Sequence, residues 1–369
     1  MLNRVLLFIG LFAVSISRVL ALPYGFYDAR SVAMGNVSMA TGGITTAALS
    51  NPGMLSVNES DDRFALLLPA IGVQAIDDGN VVDLVDEFQT IAGNTDPVSI
   101  QRQIEILNEL DGGSLIAAVI PNAAMVYSGD SITWGLTFRG DGIVSAGLVD
   151  VSTNPLNPTA NVAAVGVLIQ EIGVPVGTDL SIGGMQLSVG VTPRYVSVQA
   201  IEYKESIETA DFANISSQDA EDLGSFTTVD AGVTLNIIDT FRVGLVAKNL
   251  IEDTKVTSIG REIDFQTHLR AGAALDLGML TLAADMDLTE RKPIASENPS
   301  QSLSIGAELD AFSVVQLRAG YQTNMASGAT DPDLLSLGVG IWLGFNLDIA
   351  AVMGSDSSYG AFIQTGFHF

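Results

Sequence analysis

The sequence predicts an all-β fold, a transmembrane antiparallel β-barrel of about 14 strands between Arg63 and Phe369. Three observations predict it. Apolar residues alternate with small or polar ones at a period of two along segments of about ten residues, which is typical of barrel strands. The connections between these segments are alternately short and long. The chain also ends on such a segment, "YGAFIQTGFHF", with an aromatic residue in the last position.

Residues 1–21 have the pattern of a secretory signal peptide. Arg4 precedes an apolar run over residues 5–16, and Val19-Leu20-Ala21 has the small-residue character of a cleavage site. We therefore predict export, with the mature chain in the bacterial outer membrane. No later segment has the pattern of a transmembrane helix, so spanning a bilayer requires a closed barrel in which every backbone group is paired.

Composition and motifs exclude several classes of function. The chain has no Cys, which removes disulfides, thiol catalysis and thiolate metal sites. It carries 16 Lys and Arg against 42 Asp and Glu, a net charge of −26, whereas a nucleic-acid-binding protein needs a positive surface. It contains no nucleophile elbow, no phosphate-binding loop and no metal-ligand spacing. We therefore expect no enzymatic activity, no cofactor, no metal and no nucleic-acid partner.

The first long connection, over residues 80–111, is predicted to contain two amphipathic helices. Asn80 is predicted to cap the first helix, and Asp96 with Pro97 to begin the second. The connection carries many acids against a single base, Arg102. Three interpretations of this helical pair remain open: a lid over the barrel mouth, a surface for a partner, and simple loop packing.

The alternation is clearest in the second half of the chain. The segment "LTLAADMDL" places Leu282, Ala284 and Met286 on one face and Asp285 and Asp287 on the other. By the same parity a set of polar residues points into the barrel lumen: Arg242, Lys248, His268, Arg270, Asp285, Asp287, Glu308, Arg318 and Asp348. Because opposite charges fall on neighbouring strands, we expect ion pairs across the wall. These pairs either anchor a plug beside a polar path or are ordinary lumen salt bridges.

Connection lengths orient the barrel, since bacterial barrels have short periplasmic turns and long outer loops. Short connections are predicted at residues 128–131, 177–179, 237–240, 276–278 and 310–312. Long connections are predicted around residues 76–113, 149–160, 201–224, 250–266, 289–300 and 323–333.

The segment before the barrel, "FYDARSVAMGNVSMATGGITTAALSNPGML", resembles the N-terminal segment of outer-membrane barrels related to the FadL and PorV-like proteins. It most closely resembles the exported barrel family labelled conjugal-transfer TraF. The residues that carry the resemblance are Ala29, Arg30, Ala33, Met34, Gly35, Asn51 and Pro52. The resemblance implies that residues 22–62 form a hatch that plugs the barrel of residues 63–369. A flexible periplasmic lead-in is the alternative interpretation.

Three classes of function remain open. The resemblance implies hatch-gated passage of small hydrophobic molecules through an outer-membrane barrel. The conjugation label implies instead a non-enzymatic accessory or assembly component that binds another envelope protein. A purely structural barrel is the third class. In each case we expect contact with outer-membrane lipid, and we expect Phe367 and Phe369 in the last strand to be recognised by the barrel-assembly machinery.

Overall fold

A computed structural model describes most of the chain after the predicted signal peptide. It describes residues 27–57, 63–78, 80–111, 114–182, 184–210, 220–258, 260, 262–291, 299–311, 314–327, 333–354 and 358–369. The predicted signal peptide, residues 1–21, lies outside the described residues.

The period-two segments form strands, and the N-terminal segment and the first long connection form helices. The helices are α1 (Ala29–Ala33), α2 (Ile44–Ser50), a 3₁₀ turn (Pro52–Met54), α3 (Val81–Ile91) and α4 (Pro97–Glu109). The strands are β1 (Phe64–Asp78), β2 (Ser114–Ser128), β3 (Thr133–Ser152), β4 (Thr159–Gly173), β5 (Val176–Ile182), β6 (Met185–Ser206), β7 (Ala220–Ile238), β8 (Phe241–Lys248), β9 (Asp253–Val256), β10 (Glu262–Phe265), β11 (His268–Asp276), β12 (Leu280–Asp287), β13 (Ser302–Ala311), β14 (Val315–Asn324), β15 (Leu334–Trp342), β16 (Asn346–Gly354) and β17 (Ser358–His368).

The sheet closes into an antiparallel barrel of 14 strands, as the sequence predicts. The last strand, β17, pairs with β1, so that Phe367 lies opposite Leu66. Strands β4 and β5 both pair with β3 and β6, so they are one barrel strand interrupted at Val174 and Pro175. The short connection predicted at residues 177–179 is therefore wrong, because these residues lie within β5 and the chain turns later, at Gly184. A proline without an N–H accounts for the interruption.

The two faces of the wall differ in polarity. On β12 the side chains of Leu282 and Met286 point outward and are exposed, whereas Asp285 and Asp287 point inward and are buried. Exposed Leu, Ile, Val and aromatic side chains continue this apolar belt around the outer surface of the barrel. Among the described residues, no helix is both long and apolar enough to cross a bilayer.

The wall has two heights. Strands β3, β6 and β7 contain 20, 22 and 19 residues, whereas β8 and β12 contain 8 each. The extra length lies at the end with the long loops. Strand β8 ends beside Asp230 of β7, whereas β7 continues past Asp230 toward the long loops. We call this raised part of β2, β3, β4, β6 and β7 the tall wall.

The helical pair α3–α4 packs on the outer face of the tall wall. Its buried residues Val85, Phe88 and Ile106 contact Val144 and Ala146 of β3, which lie on the same strand face as the exposed belt. The first cap differs from the prediction. Asn80 is left-handed (φ 53°) and makes no side-chain cap, and Asp77 Oδ1 accepts the first helical N–H, from Val81, at 2.6 Å.

The second cap agrees with the prediction and allows a test. Asp96 Oδ1 accepts hydrogen bonds from the N–H groups of Val98 and Ser99, both at 3.1 Å, with Pro97 at the first helical position. These bonds, Ser99 first, lower the pKa of the Asp96 carboxyl below its ordinary value. We expect Asp96→Ala to reduce amide-exchange protection in the first turn of α4 about fivefold, and Asp96→Asn to retain most of it. Equal protection in both variants would contradict the cap.

The long connection predicted at residues 250–266 contains a hairpin that the alternation did not predict. Among the residues that the structure describes, strands β9 and β10 pair only with each other, with Thr254 opposite Asp264. Buried Ile263 and Phe265 turn this hairpin toward the inward face of the tall wall. The part of the tall wall around β4 is thus covered by α3–α4 outside and by the hairpin inside.

Candidate functional site

The N-terminal segment, residues 27–57, lies inside the barrel and forms the candidate site with the inward face of the wall. It has its own hydrogen bonds. Asp28 caps α1 by accepting the N–H of Ser31 at 2.7 Å, and its second oxygen accepts the hydroxyl of Thr46 in α2. Small side chains dominate the segment, so its backbone can approach the wall closely.

Arg30, one of the residues that carry the resemblance, is bound to the predicted lumen residue Glu308. Its Nε and Nη2 atoms donate to the two carboxylate oxygens at 2.9 and 2.7 Å, a bidentate ion pair. The same carboxylate accepts from Arg318 Nε at 2.5 Å. Charges on β13 and β14 therefore pair across the wall and also hold the N-terminal segment.

The ion pairs continue to the last strand and return to the segment. Arg318 Nη1 donates to Asp348 at 2.5 Å, and Asp348 accepts from Gln364 Nε2 at 2.9 Å. The amide oxygen of Gln364 accepts the backbone N–H of Ala29 at 2.6 Å. The chain of bonds from Arg30 to Ala29 thus runs through β13, β14, β16 and β17.

A second cluster holds the middle of the segment. Asp285 accepts the backbone N–H groups of Ser38 at 2.7 Å and Met39 at 3.1 Å. Arg270 Nη2 donates to the carbonyl oxygen of Asn36 at 3.0 Å, and Nη1 donates to Asp287 at 2.8 Å. Arg270 and Asp287 have side chains with 0% exposure, so this pairing is far from solvent. The predicted lumen residue His268 approaches the same Asp287 carboxylate at 3.2 Å.

The motif residue Asn51 joins two parts of the segment to the wall. Its Nδ2 donates to the carbonyl oxygen of Met39 at 2.7 Å and to Thr234 of β7 at 3.3 Å. Its Oδ1 accepts the N–H of Gly53 and so caps the 3₁₀ turn that begins at Pro52.

The motif residues Met34 and Gly35 lie against β13, β14 and β15. The N–H of Gly35 donates to Ser336 at 2.9 Å. The φ of Gly35 is +74°, in the left-handed region that glycine adopts much more readily than residues with a Cβ.

Inward glycines allow this close approach. Seven of them, on β6, β7, β8, β11, β13, β14 and β15, lie so near the segment that an added Cβ would overlap its atoms. They are Gly190, Gly232, Gly244, Gly272, Gly306, Gly320 and Gly338. The alternation predicted that small residues face inward but not that these glycines make room for the N-terminal segment. We call these glycines the glycine seat.

An ionic layer above the segment was missed by sequence reasoning. Arg194 donates to Glu171 and to Asp230, both at 2.7 Å. Lys248, which the parity did place in the lumen, donates to the carbonyl oxygen of Leu49 at 3.1 Å and lies 4.4 Å from the ring centroid of Tyr27. Lys248 thus connects the layer to the start of the segment at Tyr27 and to α2 at Leu49.

The remaining contacts of the segment are apolar. Leu49 and Leu55 pack against inward Leu67 of β1 and inward Ala124 and Val126 of β2. On the adjoining strands β2, β15, β16 and β17 the segment contacts a second apolar cluster, made of Ala29, Val32, Ala33, Ile120, Leu334, Ala350, Val352 and Phe362. The lumen around the segment is therefore part ionic and part apolar.

A polar cavity of about 500 Å³ opens between the segment and the end of the barrel that bears the short turns. Arg30, the predicted lumen residue Arg242, Gln316 and His368 contribute to its lining. Arg242 Nε donates to Asn236 at 3.0 Å. Water can reach this side of the segment, whereas the other side is covered by the ionic layer.

The C-terminal aromatics lie at the same end of the barrel. Phe369 is 70% exposed, and its carbonyl oxygen accepts the backbone N–H groups of Arg63 and Phe64. The ring of Phe367 stacks on Phe345 at 5.6 Å. Recognition of this strand during assembly stays a prediction.

Comparisons with known proteins agree with this architecture. A family model described as "F plasmid transfer operon, TraF, protein" matches residues 48–287. Among curated proteins, no sequence matches significantly. Among solved structures, the toluene transporter TbuX from Ralstonia pickettii is similar at 12% identity and a TM-score of 0.54, covering 93% of this chain and 98% of that one.

Two further solved structures are similar over most of their length. The toluene transporter TodX from Pseudomonas putida has 14% identity and a TM-score of 0.55, covering 93% of this chain and 98% of that one. A FadL homologue from Pseudomonas aeruginosa has 11% identity and a TM-score of 0.57, covering 94% and 99%. At these identities the similarity shows a shared barrel fold.

Proposed function

This chain belongs to the TraF family of F plasmid transfer operon proteins, and we propose that it is an outer-membrane channel for small hydrophobic molecules, closed by its N-terminal segment. Residues 22–62 act as the hatch and residues 63–369 as the barrel. The short turns face the periplasm, the long loops face outward, and the apolar belt contacts lipid. The barrel-assembly machinery recognises the C-terminal strand through Phe367 and Phe369.

The apolar contact between the N-terminal segment and the wall carries the proposal. Leu49 and Leu55 lie against β1 and β2, and Val32 lies against β2 and β15–β17. When the segment shifts, these contacts become an apolar path along one flank, while ion pairs on the other flank keep the segment attached. On such a path the free energy of a small hydrocarbon falls in proportion to the apolar area that it removes from water.

Uptake by whole cells tests the proposal. The names of the similar solved structures, toluene transporters, support radiolabelled toluene as the probe. We expect faster uptake by Gram-negative host cells that carry the chain than by cells with an empty vector. Asn51→Ala removes the bonds to Met39 and Thr234 and is expected to increase uptake further. Asn94→Ala, at an exposed site between α3 and α4, is the matched control. Uptake equal to that of the empty vector would overturn the proposal.

A second candidate is an accessory role in an envelope complex. The TraF description and the exposed acidic side of α3–α4, with Asp83, Asp86 and Glu105, favour it. Gentle extraction followed by native mass spectrometry would then show a bound envelope protein. Changing the three acids to lysine is expected to release that protein without uncovering the apolar contacts of the helices. Extraction of the chain alone would contradict this candidate.

A further inference from the structure

The hairpin β9–β10 covers an apolar surface inside the barrel. Ile263 and Phe265 are 2% and 7% exposed. They pack against inward residues of β4 and β6, with Phe226 of β7 beside them. The wall residues of this surface, which we call the inner apolar surface, are Val167, Ile169, Val196, Val198 and Phe226.

Side-chain contacts hold the hairpin in place. The rings of Phe265 and Phe226 are 4.8 Å apart and tilted, and Lys255 Nζ lies 5.2 Å from the centroid of Phe226. The backbone N–H of Ser258 donates to Glu221 of β7 at 2.9 Å. A two-stranded hairpin is marginally stable alone. Its position therefore depends on the burial of Ile263 and Phe265.

The inner apolar surface lies directly above the ionic layer. On β6, Val196 and Val198 follow Arg194 on the same inward face, on the side of the long loops. A molecule that enters from the outside thus meets the hairpin and this surface before it meets Arg194, Glu171 and the N-terminal segment. The surface is the first apolar contact on the path.

The two hairpin side chains indicate what this surface binds. The side chain of Phe265 is a tethered toluene, and that of Ile263 is a tethered butane. A surface that packs these groups has the shape and polarity for free molecules of the same kind, because apolar burial and offset ring packing act on both alike. Resting on the proposed function, we propose that the inner apolar surface is the acceptor site for small aromatic and aliphatic hydrocarbons. The hairpin occupies this site until such a molecule displaces Ile263 and Phe265.

A competing side chain lowers apparent affinity, since only the fraction of molecules with the hairpin displaced binds ligand. The double variant Ile263→Ser, Phe265→Ser is therefore expected to bind more ligand. When the purified protein is photolabelled with 4-azidotoluene, we expect the yield of labelling to rise about tenfold. The labels should fall on peptides that contain residues 167–169 and 196–198. Val256→Ser, at a 54% exposed position of the same hairpin, should leave labelling unchanged. Labels confined to other peptides would overturn the proposal.

A reversible lock separates this inference from the proposed function. The chain has no Cys, so Glu221→Cys with Ser258→Cys allows a bifunctional methanethiosulfonate linker to tie the hairpin to β7. We expect toluene uptake by cells to fall about tenfold when the linker is present and to recover when a reductant cleaves it. Thr254→Cys with Asp264→Cys, a link within the hairpin, is the control and should change uptake little.

The outcomes of the lock experiment are distinct. Equal uptake with the linked and the cleaved protein, both above the empty vector, would overturn the acceptor site and leave the channel standing. Uptake at the empty-vector level in the unmodified protein would overturn the channel itself. Photolabelling then shows whether the inner apolar surface still binds hydrocarbons.

Discussion

Arg270→Met is expected to lower the free energy of unfolding by about 3–5 kcal/mol, because it removes one partner of a buried ion pair. The guanidinium has 0% exposure and donates to Asp287 at 2.8 Å and to the carbonyl oxygen of Asn36 at 3.0 Å. Without it the buried carboxylates of Asp285 and Asp287 lose the guanidinium that pairs with both of them, at 3.5 and 2.8 Å. Urea or guanidinium unfolding in detergent micelles, followed by circular dichroism, measures the change as a lower midpoint at constant slope.

The matched control is Arg242→Met. Arg242 points inward from β8, the strand beside β11, but it is only half-buried and lies at the short-turn end. Its substitution is expected to cost less than about 1 kcal/mol, because its guanidinium lines the polar cavity and is not enclosed by protein. Equal losses in the two variants would show that burial of Arg270 adds nothing to the strength of its ion pairs.

The lumen residues of the second half of the chain could be predicted because each strand there has one covered face. On β12 the outward face contacts an apolar environment and the inward face contacts the N-terminal segment, so polarity alternates in register with the strand. Parity alone then places Asp285 and Asp287 inside. Predicting which charges pair with each other also requires the strand register. In β13 and β14 the register places Glu308 opposite Arg318.

The ionic layer of the first half could not be predicted in this way. Strand β4, "TANVAAVGVLIQEIG", is apolar on both faces because α3–α4 covers its outer side and the hairpin covers its inner side. Strands buried on both faces lose the period-two pattern. The sequence of β4 therefore does not show that the Glu171 side chain points into the lumen. On β6 the inward face that carries Arg194 also carries Val196 and Val198, so polarity changes along this face and does not mark it. Asp230 on β7 shares its inward face with Phe226 in the same way. The hairpin itself is two strands of 4 residues, too short for a recognisable alternation.

The seat of the N-terminal segment depends on distances that no pattern in the sequence reveals. Arg30 and Glu308 are 278 positions apart and meet only because the barrel closes. In the sequence an inward glycine cannot be distinguished from other small inward residues. Its role in close backbone approach follows only from the structure, where another backbone lies against it.

Gly320→Ala is expected to displace the N-terminal segment from the wall. Gly320 faces inward on β14, and an added Cβ would overlap the backbone of Met34 and Gly35. Both obstacles are backbone, so no side-chain rotation relieves the overlap, and Gly35 is held by its bond to Ser336. We expect limited proteolysis of the purified protein, followed by mass spectrometry, to cut within residues 27–57 at least about tenfold faster than in the unsubstituted chain. We also expect toluene uptake to rise.

Gly366→Ala provides the comparison that isolates close approach from the loss of a glycine. Gly366 also faces inward, on β17, but the nearest atom to its added Cβ is Asn346 Cβ at 3.6 Å, an ordinary contact. This variant should protect the segment as the unsubstituted chain does. If both alanines leave residues 27–57 equally protected, the ion pairs hold the segment without the glycine seat. If both expose it, the barrel rather than the seat is the sensitive element, and the gate must be sought in the wall.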